Sequence, residues 1–493
     1  MPGEDELIQS RHEKLARLRA RGIDPYPPRV VRTHASTAAV AAFEAWEAAG
    51  AAGDAPAVSV AGRITAMRDM GKAAFLDLRD GDGRIQCYIK KDIIGADEYA
   101  MLADVDLGDF IGVTGALFRT RTQEITVEAG EYTVLTKALR PPPEKYHGVE
   151  DVEIRYRQRY LDLMANAEAR EIFRTRAAVV AGIRRYLDDR GFMEVETPVL
   201  QPEAGGAAAT PFVTHFRALD QDFFLRISLE LHLKRLVVGG FDRVYEMGRI
   251  FRNEGLGWKY NPEFTMIEIY QAYADYHDIA RLIEEMVSSV AQQVLGTTIV
   301  RYGEHTLDVA PPWRRVTMRD ALIEHGGIDF EALRTREQLL EELQRRKFDV
   351  DPGWSWSKLL DEAVSHYVEP KLIQPTFLMD YPREISPLAK DKPGAPGLVE
   401  RFEFFCAGFE MGNAYTELND PVDQRERFET QARLAAAGLE EVETLDEDFL
   451  VALEHGMPPT GGMGMGIDRL VMLLTGNETI REVILFPQLR KKD

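Results

Sequence analysis

Two glutamates in Arg401-Phe-Glu-Phe-Phe-Cys-Ala-Gly-Phe-Glu-Met411 stand in a pattern that could hold a divalent cation. If Ala407-Gly408 is a two-residue turn, Phe405 pairs with Glu410 and Phe404 with Met411, and Glu403 shares a face with Glu410 on a diagonal. Carboxylate oxygens together with a nucleotide phosphate are what magnesium prefers. In Gly461-Gly-Met-Gly-Met-Gly-Ile-Asp-Arg469, alternating glycines leave one side of a strand bare, so a flat or phosphorylated ligand can lie against backbone. Arg469 follows in the first turn of a helix, where the dipole favours anions. The run is neither a Walker A loop nor a placed dinucleotide fingerprint, because the lysine and the βαβ context are missing. A third stretch, Arg249 to Tyr270, reads as two strands joined by a polar loop with Gly255, Gly257 and Pro262. Alternation puts Ile250, Arg252 and Glu254 on one face of the first strand, and Phe264, Met266, Glu268 and Tyr270 on one face of the second. Charged groups mixed into a core sheet need a ligand to meet them.

These stretches need a scaffold. Ala169 to Arg190 is patterned as a helix with one broad apolar stripe, and Phe192 to Pro198 continues it as a strand. Gly205 to Pro211 is a small-residue loop where backbone can approach a ligand. Leu225 to Leu231 reads as a strand with Arg226, Ser228 and Glu230 on a common face. Residues 272–386 fit an inserted subdomain. Earlier in the chain, Glu4 to Arg21 is a basic helix, a solvated face or a contact with RNA phosphates. An alanine-rich spacer follows. From Val58 five short alternating strands suit a small barrel, with the OB-fold the leading candidate. Such barrels stack bases on exposed aromatics beside polar readers. Arg140-Pro-Pro-Pro143 marks a boundary, since three prolines stiffen a linker.

Composition narrows the class. The 493 residues allow two or three domains, and a net charge of −21 argues against indiscriminate nucleic-acid binding while leaving room for a cationic small substrate. No run approaches the ~18 apolar residues of a membrane span. The acidic start lacks an apolar signal core, so a cytoplasmic location is expected. The two cysteines, Cys87 and Cys406, sit in apolar runs and read as buried, inert thiols.

Phe251-Arg-Asn-Glu254 followed by Asn261-Pro-Glu-Phe-Thr265 resembles motif 2 of the class II aminoacyl-tRNA synthetases, in the form found in lysyl-tRNA synthetases. The helix–strand–proline unit ending at Pro198 resembles motif 1, which in that family builds a homodimer interface, and Gly461 to Arg469 resembles motif 3. The resemblance covers nearly the whole chain. It implies an α+β protein: a helical extension over 1–57, an OB-fold anticodon-binding barrel over 58–140 and a linker over 141–160. A catalytic domain over 161–493 follows, built on a mixed, mainly antiparallel sheet flanked by helices, with an inserted subdomain around 275–385. It implies ATP as substrate, magnesium on Glu403 and Glu410, and Arg252 and Arg469 as the catalytic cations on the α- and distal phosphates. Phe264 would stack on adenine, with Glu254, Tyr260 and Asn261 nearby. L-Lysine would be held by Glu230, Glu268 and Glu417, with Gly206, Tyr270, Asn413 and Tyr415 beside them, since two ammonium groups need carboxylate partners. Phe75 and Gln86, with Arg68 and Glu124, match anticodon-reading positions for tRNA(Lys). Against the lysyl pattern, Thr210 and Phe409 replace arginines, Phe216-Arg217 replaces His-Asn, Leu229 a proline, His232 a tyrosine and Tyr260 a histidine. These departures are expected around the pocket.

The leading reading is a lysine–tRNA ligase. Two others remain open at this point: a relative that activates lysine for a different acceptor, and a catalytically silent tRNA-binding protein.

Overall fold

Strict alternation between residues 57 and 136 closes the first part of the chain into a barrel. Strands β1 (Ala57–Asp69), β2 (Ala73–Arg79), β3 (Arg84–Lys90), β4 (Phe110–Arg119) and β5 (Ile125–Thr136) join in the order β1-β2-β3-β5-β4. Ala74, Leu76 and Leu78 of β2 all point inward. This computed structural model describes residues 3–143, 151–436 and 446–490, and the chain divides into two compact units, Met1–Glu150 and Asp151–Asp493.

Helices α1 (Glu4–Ala20) and α2 (Ser36–Ala48) bury Leu18, Ala39 and Phe43 in the barrel's core, so residues 3–57 pack as part of this unit. The basic side of α1 is largely spent internally. Arg11 donates to the carbonyls of Leu107 and Ala138, both at 2.9 Å, and Lys14 and Arg17 pair with Asp106 and Asp104 at 2.6 and 2.7 Å. The linker expected over 141–160 is shorter. Its residues 144–150 lie outside the described residues, and 152–165 is helical and belongs to the second unit, where Arg159 is fully buried on Asp162 at 2.6 Å.

The second unit is built on eight strands: β6 (Met193–Glu194), β7 (Arg243–Phe251), β8 (Glu263–Ala272), β9 (Arg314–Thr317), β10 (Thr376–Pro382), β11 (Leu398–Cys406), β12 (Phe409–Thr416) and β13 (Thr460–Gly466). They lie in the order β9-β10-β11-β12-β13-β8-β7-β6, antiparallel except for β6 with β7 and β9 with β10. One face packs on α3 (Ala167–Asp188), α5 (Tyr276–Leu295) and α6 (Ile467–Thr475); α4 (Glu230–Val238) and the helices between β9 and β10 join a second core on the other. Val179, Ile183, Tyr186 and Leu187 give α3 its buried stripe, as its periodicity requires.

Three expectations are corrected here. The stretch 275–385 is no separate insertion: α5, β9 and β10 are part of the sheet and its layers, and the helices at 318–326 and 356–367 pack into the second core. The strand expected to Pro198 is only Met193–Glu194. Residues 225–231 do not form one strand either. A strand ends at Leu225 and α4 begins at Glu230, because Leu229, Leu233 and Val237 repeat every fourth residue and bury one helical side.

Candidate active site

Strand β8 forms the floor. Phe264, Met266, Glu268 and Tyr270 alternate into a cavity of about 840 Å3, while Ile267 and Ile269 pack into the core behind them. All fifteen residues singled out for ATP, lysine or magnesium line this one cavity. β13 fits between β8 and β12 because its glycines keep that surface bare. Gly464 stands opposite both Glu268 and Asn413. A Cβ on Gly462 would run into Oε1 of Glu417 and come within 2.6 Å of the Tyr270 ring, whereas on Gly464 it would stand 3.6 Å from Cγ of Glu268.

Arg252 and Glu254 are in the loop, since β7 ends at Phe251; pairing lapses after the Arg252 N–H, which donates to the Pro262 carbonyl at 2.9 Å. The Arg252 guanidinium sits 5.4 Å from the centre of the Phe264 ring, with two long 3.4 Å contacts to the Ile227 carbonyl. Among the described residues it forms no ion pair. Burial lowers its pKa while Glu254 and Glu410 oppose that shift, and a guanidinium so placed stays charged at neutral pH. It is a fixed cation in want of an anion. Asn261, also buried, donates to the Glu263 carbonyl at 2.5 Å. Arg469, in the first turn of α6, donates to the Glu410 carbonyl at 2.7 Å and to its carboxylate at 3.0 Å, and lies 5.6 Å over the Tyr260 ring.

Strands β11 and β12 turn at Ala407-Gly408, both at positive φ, and Phe405 stands opposite Glu410. Phe404 pairs with Gly412 rather than Met411, because a bulge intervenes; its ring lies where a Cβ on Gly412 would be, 2.6 Å away. Glu403 and Glu410 nevertheless share the cavity. Burial pushes Glu403 up to about 7, although Arg401 at 2.7 Å and the Tyr381 hydroxyl at 2.9 Å both favour its charge. Burial also works to raise Glu410, but Arg469 outweighs it and holds that carboxyl below its ordinary value. Among the described residues no cluster of three or more His, Cys, Asp or Glu could hold a metal alone. Two carboxylates opening on one cavity fit a magnesium ion that completes its shell with nucleotide phosphate and water.

The other carboxylates form a second group. Glu268 accepts from the Ser228 hydroxyl and the Leu229 N–H, both at 2.9 Å, and from the Tyr270 hydroxyl at 3.0 Å. Burial, reinforced by Glu230, still lifts it to about 7. Glu230 accepts from Tyr415 and from Lys234, each at 2.6 Å, and Lys234 also pairs with Glu417. Asn413 accepts from Arg401 at 2.9 Å, and Gly206 lines the cavity at a φ of +82° against Ser228.

Sequence reasoning missed Lys234, Arg401, Tyr381 and Asp468. Asp468 takes Arg176 of α3 at 2.6 Å and the Thr265 N–H of β8 at 2.7 Å, tying three elements at one buried carboxylate. The departures from the lysyl pattern do not cluster as expected. Of the seven, only Tyr260 lines the cavity. Thr210, Phe216 and Arg217 are exposed, His232 lies on α4, and Leu229 is in the core. Phe409 is buried between Trp258 and Tyr302, at ring distances of 5.8 and 5.6 Å.

On the barrel, Arg68, Phe75 and Tyr88 are register neighbours on β1, β2 and β3, with Gln86 on the same outer side as Tyr88. Tyr88 stacks obliquely between Phe75 at 4.6 Å and Phe118 at 6.0 Å, a wider aromatic strip than Phe75 alone suggested. Gln86 is buried and accepts from the Thr126 hydroxyl at 3.0 Å; Glu124 is paired with Arg84 at 2.5 Å.

The family model for tRNA synthetases class II (D, K and N) matches residues 151–490, and that for the OB-fold nucleic acid binding domain matches residues 58–135. The chain is similar to the lysine–tRNA ligase of Dehalococcoides mccartyi strain 195, 55% identical over 99% of this chain and 98% of that one. It is similar likewise to the lysine–tRNA ligases of Moorella thermoacetica, 52% identical over 100% and 99%, and of Bacillus subtilis strain 168, 50% identical over 99% and 98%.

Proposed function

The chain belongs to the class II tRNA synthetases of the D, K and N group, and from that premise we propose that it is a lysine–tRNA ligase. The observation that carries the chemistry is the Arg252 guanidinium, a cation without an ion-pair partner among the described residues, opening on the same cavity as Glu230, Glu268 and Glu417. An oxygen of the lysine carboxylate bonds to the α-phosphorus of ATP while the bond from that phosphorus to pyrophosphate breaks. No side chain is needed as nucleophile, and Arg252 stabilises the charge that develops. Arg469 takes the distal phosphates. Phe264 stacks on adenine, with Glu254, Tyr260 and Asn261 at its polar edge. Glu403 and Glu410 hold magnesium, which when bound neutralises phosphate charge.

The ammonium groups of lysine meet Glu230, Glu268 and Glu417, and Gly206, Tyr270, Asn413 and Tyr415 close around the side chain. Each pairing of ammonium with buried carboxylate discriminates strongly against substrates that lack it. A 3′-terminal hydroxyl of tRNA(Lys) then attacks the lysyl carbonyl and AMP leaves. Phe75, with Arg68, Gln86 and Glu124, reads the anticodon on the barrel. The active form is a cytoplasmic homodimer joined through α3 and β6, and no described helix is long and apolar enough to cross a membrane.

The test is aminoacylation of total tRNA with each of the twenty amino acids, ATP and magnesium. Charging with lysine alone is expected. Lysine-dependent pyrophosphate exchange without charging would redirect the acceptor, and silence in both would refute the reading.

A further inference from the structure

Lys234 is fully buried, does not line the cavity, and yet reaches two of the carboxylates that do. Its ammonium lies 2.6 Å from Oε1 of Glu230, one turn back on α4, and pairs with Oε2 of Glu417 beyond the end of β12. The rings of Tyr415 and Phe449 enclose it at 5.4 and 5.8 Å. Tyr415 donates to the same Oε1 of Glu230. Oε1 of Glu417 is buried and makes no hydrogen bond among the described residues, and Gly462 keeps the space in front of it free of any side chain.

We propose that Lys234 is a positioning and specificity-determining residue of the amino-acid pocket: it pins Glu230 and Glu417 from behind and sets the pocket's charge to match a substrate with two ammonium groups. The proposal rests on the reading of lysine as the substrate. Burial works to raise Glu417 well above its ordinary value, and the Lys234 ammonium is the charge that opposes it. When all three carboxylates are ionised, the one buried ammonium leaves two negative charges, and the α- and ε-ammonium groups of lysine supply two positive ones. Without Lys234, two buried carboxylates would repel each other across the pocket and either turn away or take up a proton. Burial alone would lower the pKa of Lys234, but Glu230 and Glu417 outweigh that and hold it above the ordinary lysine value, so the cation is permanent. Four aliphatic carbons reaching in from α4 fix where each carboxylate stands, and hence the chain length that the pocket accepts.

The experiment uses the full-length protein at pH 8, where Glu268 is mostly ionised, and follows pyrophosphate exchange with lysine and with ornithine, one methylene shorter. Wild type must exchange with lysine; if it does not, the substrate reading itself fails, whatever Lys234 does. In Lys234→Met, KM for lysine is expected to rise at least about tenfold and KM for ATP to change by less than about twofold, while preference for lysine over ornithine falls by about tenfold, within the range one methylene can give. If that variant does not fold, Lys234→Gln, which keeps a donor, is judged by the same three numbers. An unchanged lysine KM, or a loss confined to kcat with discrimination intact, would overturn the proposal and leave Lys234 a structural counter-ion.

Discussion

Replacing Arg252 with alanine separates catalysis from folding more cleanly than any other change in the cavity. Its native contacts are few: two 3.4 Å approaches to the Ile227 carbonyl and the Phe264 ring at 5.4 Å. A cation–π contact of this kind contributes about 0.5–1 kcal/mol, and hydrogen bonds so long add little. The structural cost is therefore about 1 kcal/mol. Removing one preorganised charge from a transferring group costs about 3–4 kcal/mol in the transition state, or roughly 10²- to 10³-fold in rate. Lysine-dependent ATP–pyrophosphate exchange should fall by that factor while thermal denaturation stays close to wild type. Arg252→Lys retains charge without the planar fork and should lie in between. Exchange within tenfold of wild type in a folded Arg252→Ala protein would remove Arg252 from the chemistry.

Other consequences can be measured as directly. Because burial lifts Glu268 from 4.5 to about 7, it loses its proton as pH rises through 7, and only the ionised form attracts an ammonium. Calorimetric titration should show lysine binding more tightly from pH 6 to pH 8, and Glu268→Gln should flatten that profile. The same raised pKa adds stability that is fully present below about 4.5 and lost as pH rises through 7. Gly462→Ala should impair folding as well as activity, since its Cβ meets Glu417 and Tyr270, whereas Gly464→Ala should fold normally and raise substrate KM, the two being separated by circular dichroism and exchange kinetics. Phe75→Ala should weaken tRNA binding by about 1–3 kcal/mol, the usual worth of a base stack, and leave lysine-dependent exchange unchanged; a parallel loss of exchange would count against an anticodon role.

The parts of the site that the sequence disclosed are those with short-range pattern. On β8 a period of two assigns every residue to a face, and two positive-φ positions at Ala407-Gly408 fix the register of Phe405 against Glu410. The bulge that moves Phe404 onto Gly412 depends on how one ring packs over one glycine, and nothing local announces it. Around Glu230 two periods compete. Leu229, Leu231 and Leu233 alternate like a strand, while Leu229, Leu233 and Val237 repeat like a helix, and tertiary burial chose the helix. Reading the strand hid Lys234, because the partnership of Glu230 with a residue four positions on exists only on a helix. The basic side of α1 was illegible for a different reason: the partners of Lys14 and Arg17 stand some ninety residues away, at Asp106 and Asp104.

The placing of β13 between β8 and β12 gives the protein a clock. That seven-residue strand is the last of the sheet to be synthesised, yet it lies between the Glu268 and Glu410 strands. With 187 residues between the end of β8 and the start of β13, synthesis at about 5–20 residues per second separates the two neighbouring strands by roughly 10–40 s. During that interval β8 presents a bare edge, and β12 presents another while the last 43 residues before β13 are made, a period of exposure in which a chaperone has something to hold. It is also a safeguard. A chain cut short by a broken message lacks the strand that joins Arg252, Phe264 and Glu268 on one side to Glu410, Asn413 and Tyr415 on the other, so the cavity they line together is not assembled.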